Sequence, residues 1–418
     1  MSAFDAPILT NSPGVYTFEW EADGVMIEVD RFTRSRDTLK AEVRVLSTLL
    51  VETPTRVGTA RVDLLSPTSR NSLAKECSAE DESTDWAGFV KRACITALEL
   101  FRTGEPEHEL TFEEEAVPLE YLLYPIIPEK QITILYGDGG IGKSILAQMF
   151  ALIVSFGWAD NPYGLRVKNQ HRAGLILDWE TDKAAASVSF RALYRSFLSM
   201  CPTPEPKIIY RRCFLPLRDD LTEVQRIINR HSIEFVVMDS AAAACGGDPN
   251  AAEIASQFLG HEIRQLNTTT VLIAHTSKNQ VGEKSVFGSV FFRNYARSVW
   301  EVKKHQEVGE DTLDVALWHR KSNLSKLRAP LGFRFTFDGA NEQITVAHQS
   351  VEDVAEFEQE RPLRDRIFTQ LKHGSTTVTD LAETLEASAN TVLKTLQRGE
   401  QVFIHLPDKT WGLKSWEG

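Results

Sequence analysis

The chain has 418 residues, 42% apolar and 25% charged, an ordinary globular composition whose length calls for two or three domains. It has no run of 18 apolar residues, and its start, MSAFDAPILTNSPG, lacks both a basic region and an apolar core, so neither a membrane span nor a signal peptide is expected and the expected setting is cytoplasmic. Five scattered cysteines without a CxxC pair speak against zinc and disulfides, and a net charge of −12 against non-specific coating of nucleic acid, though a local basic surface can still bind it.

Residues 1–115 form the first expected unit, a small α+β module. Val15 to Trp20 alternates, Asp23-Gly24 supplies a turn, and Val25 to Val29 returns. Leu39 to Leu46 and Ala60 to Leu65 are further strand candidates. An acidic spacer, Ala79 to Asp85, leads into a helix from Trp86 to Arg102 with an apolar face of Trp86, Phe89, Val90, Ala93, Ala97, Leu100 and Phe101. Gly104 stops it, and the acidic stretch from Gly104 to Ala116 is expected to be a linker. No chemical motif falls in this unit.

Residues 116–350 alternate strand and helix, the pattern of a mostly parallel sheet with helices on its faces. Strands are expected at 131–136, 173–178, 207–210, 234–238 and 270–274, and after Gly288 at 296–302, 312–318, 333–337 and 343–347. The first strand runs into Gly137, Asp138, Gly139, Gly140, Ile141, Gly142, Lys143 and Ser144, then into a helix from Ile145. Gly-x4-Gly-Lys-Ser between strand and helix is the phosphate-binding loop, because its glycines let backbone N–H groups wrap a phosphate at a helix N-terminus. Lys143 would reach the β- and γ-phosphates of ATP, and Ser144 would hold Mg²⁺.

Three more strand ends carry polar groups. Phe235 to Asp239 ends in an aspartate suited to Mg²⁺ opposite Ser144. Gly174 to Asp178, followed by Trp179-Glu180, offers Glu180 to activate a water, with Asp178 as competitor. Thr270 to Ala274 ends at His275, placed to sense the γ-phosphate.

Residues 351–418 form a third unit. A charged bridge, Val351 to Arg361, precedes helices at 363–371, 380–385 (capped by Thr379) and 389–398, then a hairpin of 402–404 and 410–413. Three helices and a two-stranded wing are the layout of a winged helix-turn-helix. Asn390, Lys394 and Arg398 suit a DNA groove, although nearby acids almost balance them and such units also bind proteins.

The phosphate-binding loop, strand-end Glu180, Asp239-Ser240 and Ala274-His275-Thr276-Ser277-Lys278-Asn279 occur in the order found in RecA-like P-loop ATPases. Over 119–348 the chain resembles hexameric replicative helicases of the plasmid RepA type. The zinc-finger cysteines of RadA-type recombinases and the helical N-terminal domain of DnaB are absent. The resemblance implies an α/β RecA-like core, a ring of six copies with ATP between them, and Glu180 as base. It also implies a cation acting in trans, for which Arg297 and Lys321 rank above Arg293 and Arg320. Two pore loops would hold single-stranded DNA, at 241–252 and 276–287, the second offering Lys278 and Lys284; replication proteins are further expected partners. The expected function is a helicase in plasmid or phage replication. The alternatives are a regulatory or partition-like ATPase sited by its winged helix, and an ATP-driven scaffold for a protein partner.

Overall fold

The computed structural model describes residues 6–12, 14–34, 38–48, 54–103, 119–201, 205–276, 290–323 and 325–414. The expected linker at 104–116 and the loop residues Lys278 and Lys284 lie outside them. No described helix is long and apolar enough to cross a membrane.

The N-terminal elements are an antiparallel meander of β1 (Ile8–Ser12), β2 (Val15–Trp20), β3 (Val25–Arg34), β4 (Leu39–Ser47) and β5 (Thr55–Asp63). Helices α1 (Pro67–Glu80) and α2 (Trp86–Thr103) cover one face around Phe18, Trp20, Trp86 and Phe89. The strand expected at 60–65 starts five residues earlier. Helix α1 was not expected, because it buries only Leu73, Ala74 and Cys77 and so shows little apolar periodicity. Its legible signals are the Ser66 cap, which accepts from Ser69 N at 3.3 Å, and Pro67 in the first turn.

After a small β6–β7 pair (Tyr121–Leu123, Ile127–Pro128), β8 (Ile132–Gly137) leads into α3 (Lys143–Phe156). Then come β9 (Gly174–Asp178), α4 (Lys183–Met200), β10 (Ile208–Arg212), α5 (Leu217–His231), β11 (Phe235–Asp239), α6 (Ala241–Ala244), α7 (Ala252–Gln257) and β12 (Thr269–His275). A π-helical turn, Phe258–Glu262, continues α7. Helix α8 (Val290–Tyr295) precedes β13 (Ser298–His305), β14 (Thr312–Ser322), β15 (Leu331–Asp338) and β16 (Gln343–His348).

These strands form one sheet in the order β10-β9-β11-β12-β8-β13-β14-β15-β16. The first six run parallel and the last three turn antiparallel. Helices α3 and α4 cover one face, and α5, α7, the π-turn and α8 the other. Helix α3 is apolar all round and almost wholly buried, as befits a helix enclosed by its neighbours. The N-terminal sheet reaches this core through Asp30, a fully buried carboxylate held by Arg44 at 2.5 Å and by Arg226 of α5.

The bridge at 351–361 is not merely a spacer. Its 3-10 turn and α9 (Ala355–Gln359) pack Val351, Val354 and Phe357 against Ala316 and Trp318. Helices α10 (Leu363–Lys372), α11 (Val378–Thr384) and α12 (Ala389–Arg398) follow, then the antiparallel pair β17 (Phe403–His405) and β18 (Trp411–Leu413). They share a core of Ile367, Leu371, Leu381, Val392, Leu396 and Trp411. The cap of α11 is Thr377, not Thr379: Thr377 Oγ1 accepts from Asp380 N at 3.2 Å.

Candidate nucleotide site

Parallel strands in register bring their C-terminal ends to one edge, where open α/β sheets bind ligands. His275 stands beside Gly137, and Asp239 lies between Asp178 and Ile273. Four separated pieces of sequence therefore meet at one crevice.

The β8–α3 loop is shaped by its glycines. A Cβ on Gly137 would lie 2.1 Å from Ile141 Cδ1 and 2.4 Å from Val302 O, so the close approach of β13 requires glycine. Gly142 caps α3 at φ +85°, a left-handed conformation that favours glycine. Lys143 begins the helix, is buried, and donates to the carbonyls of Gly137 (3.0 Å) and Asp138 (2.6 Å). Burial lowers its pKa, while Asp239, Glu180 and Asp138 act the other way. Ser144 Oγ donates to Asp239 Oδ2 at 2.5 Å. Burial pushes the Asp239 carboxyl up to about 6; Ser144 opposes this, and Glu180 and Asp178 add to it. A hydroxyl and a carboxylate in contact beside a phosphate loop are the hard oxygen donors that Mg²⁺ takes, so Ser144 and Asp239 fit that ion.

The two carboxylates after β9 have different surroundings. Asp178 Oδ1 accepts from Glu180 N and Thr181 N, both at 2.9 Å, and Oδ2 accepts from Tyr210 at 3.0 Å. Asp178 is thus occupied in bracing the turn. The Glu180 side chain is 43% exposed, accepts from Ser240 Oγ and lies 3.4 Å from His275 Nε2. Thr276 Oγ1 donates to Asp138 in the phosphate loop. The sequence names Ser240 and Thr276 only as parts of motif segments, without a role; both follow polar strand ends, and only the strand order shows what they touch.

The remaining candidates are the cations after Gly288. Arg297 N donates to Ile132 O, which puts it at the start of β8, about 16 Å from Gly137 at the ~3.3 Å rise of a strand. Lys321 Nζ donates to the carbonyls of Arg293 (2.5 Å), Asn294 (3.0 Å) and Ala296 (2.9 Å), and so caps the end of α8. Burial, then Arg297 and Arg293, lower its pKa. Arg293 and Arg320 line a cavity of about 1000 Å³ running from the phosphate loop along β13. Arg320 forks onto Glu301 at 2.6–2.7 Å, and Lys304, unremarked in the sequence, donates to Gly140 O at 3.1 Å.

The segment 241–252 is not an open loop: α6 occupies 241–244, Cys245 is buried, and α7 begins at Ala252. Asn390, Lys394 and Arg398 stand exposed on α12, one helical turn apart, with Val392 and Leu396 facing inward.

Residues 103–281 match the family model of an AAA domain. No curated protein matches. A solved structure of a KaiC-like protein from Pyrococcus horikoshii OT3 is similar at 16% identity and a TM-score of 0.38, covering 54% of this chain and 93% of that one. The chain carries a P-loop ATPase-type domain in a mixed α/β fold with a large, mostly parallel sheet.

Proposed function

We propose that the protein is a Mg²⁺-dependent, RecA-like ATPase that assembles into a ring and acts on single-stranded DNA, as a helicase of plasmid or phage replication. The observation carrying this reading is the meeting of Lys143, the Ser144–Asp239 pair, and Glu180 with Ser240 and His275 at one strand edge. The glycine loop and α3 N-terminus hold the phosphates, and Lys143 neutralises their charge. Ser144 and Asp239 would hold Mg²⁺, which would supply charge neutralisation for the phosphates. Glu180 takes the proton of the attacking water, and Ser240 fixes the carboxylate for that task. His275 links Glu180 to the segment leading away from β12. The trans cation comes from Arg297 or Lys321 of a neighbouring copy; Arg297 stands about 16 Å of strand from its own phosphate loop.

A second reading, a regulatory ATPase sited by its C-terminal unit, is favoured by the exposed row of Asn390, Lys394 and Arg398. ATP turnover with and without single-stranded DNA across a salt series, with mass in solution, separates the two. Salt-sensitive stimulation and a ring-sized mass are expected. Slow turnover, no stimulation and a small mass would favour the regulator.

A further inference from the structure

The opposite, N-terminal edge of the sheet holds a cavity of about 330 Å³ away from the protein's own phosphate loop, and of its lining residues only Arg297 is a candidate for the ATP chemistry. Three cations converge on it from separate parts of the chain: Lys130 from the turn before β8, Arg264 from the turn after the π-helix, and Arg297 from the α8–β13 junction. Asn267, Thr268 and Tyr295 complete the wall, and no carboxylate lines it. Among the described residues none of the three cationic heads has an ion-pair partner. That is unexpected in a chain of net charge −12, where acids outnumber bases 58 to 46.

Next to Arg297, Lys321 adds a fourth cation, whose pKa burial lowers first and Arg297 and Arg293 lower further. Converging cations without a lining carboxylate leave hydrogen-bonding and Coulombic capacity that a phosphate would satisfy.

The shape favours a strand. A second groove of about 690 Å³, lined by Ser256, Gln257 and His261 with Glu253 at one side, shares Arg264 and Tyr295 with the first. Gly260 lets the Tyr295 ring lie against the π-turn, since a Cβ there would meet the ring at 2.9 Å, and the Tyr295 hydroxyl is tied to Ser256 at 2.8 Å. A fixed aromatic ring in a polar slot that also holds cations suits single strands. A duplex would instead present its grooves to a projecting element.

We propose that this slot binds the phosphates of a single-stranded nucleic acid, with Lys130 and Arg264 as backbone contacts and Tyr295 as a stacking surface. The inference rests on the DNA-directed reading above and gives it a contact surface away from the phosphate loop.

The test is fluorescence anisotropy of a labelled single-stranded oligonucleotide on the full chain, wild type against Lys130→Ala/Arg264→Ala, from low to moderate salt. Turnover without DNA is measured alongside, because neither residue belongs to the ATP site. Two lost phosphate contacts should lower the slope of log affinity against log salt by about 1.4, at about 0.7 per contact. Basal turnover should stay at the wild-type level. Equal affinity and slope in both proteins would overturn the inference while leaving the DNA-directed reading standing. No binding by the wild type would overturn both. A variant that binds DNA normally but loses turnover would assign the slot to a neighbour's nucleotide and overturn the inference. A Tyr295→Leu variant supplies a second readout, with weaker binding at an unchanged salt slope expected.

Discussion

At the C-terminal edge of the nine-stranded sheet, Asp178, Glu180 and Asp239 each have a hydrogen-bond donor, and Lys143 is held by two carbonyls. At the N-terminal edge, Lys130, Arg264 and Arg297 line one cavity with no acid between them. The difference teaches how one sheet manages charge. Burial first, and neighbouring acids after it, raise the pKa of a carboxylate such as Asp239, which Ser144 holds in place. Surface cations remain hydrated without partners, so their convergence is the more informative observation.

The largest effects should come from breaking the C-terminal edge. Lys143→Ala and Glu180→Gln are each expected to lower turnover by about 10²- to 10⁴-fold. Nucleotide binding should weaken in the first and persist in the second, with circular dichroism unchanged in both. Retained turnover in Lys143→Ala would remove the site assignment altogether.

Between the edges, His319 tests the sheet itself. It is buried and stacked on Trp300 at 4.1 Å, and its Nδ1 accepts from Arg328 N at 3.1 Å. Burial lowers its pKa to about 4. The unfolded chain therefore takes up the proton first as pH falls below 6.5. The stability from neutral His319 is complete above pH 6.5 and lost progressively towards pH 4, by up to about 3 kcal/mol. Denaturant melts of His319→Phe should show a flatter pH profile across that window.

Lys321→Met should cost about 1–2 kcal/mol, since it strips the charged cap from the end of α8. A lowered Tm with modestly reduced turnover is the expected result. A large loss of turnover at an unchanged Tm would instead make Lys321 the trans cation. The smallest effect is expected for Ser240→Ala: about tenfold slower turnover, or about 1.4 kcal/mol, with KM unchanged because only the orientation of Glu180 is lost.

The sequence by itself determined the phosphate loop and the parallel strands that feed the crevice. Fully apolar β runs, a glycine pattern and a helix start are local signals, and the strand–loop–helix β8–α3 unit carries all three. It also marked Asp239, Glu180 and His275, because a polar residue ending an apolar strand is visible in one dimension. Helix α1 escaped because only a few of its side chains are buried, and the 3-10 turn with α9 because acidic residues surround Val351, Val354 and Phe357. Only the tertiary structure shows that the backbone N–H groups of 180 and 181 occupy Asp178 and not Glu180. Only it set Ser240 against Glu180 and committed Lys321 to the end of α8. The Lys130–Arg264–Arg297 slot was equally out of reach, because those residues lie up to 167 positions apart and meet only where the sheet order brings the starts of β8, β12 and β13 side by side. Local pattern fixes which residues can do chemistry, while strand order and burial decide which of them stand together, and at what charge.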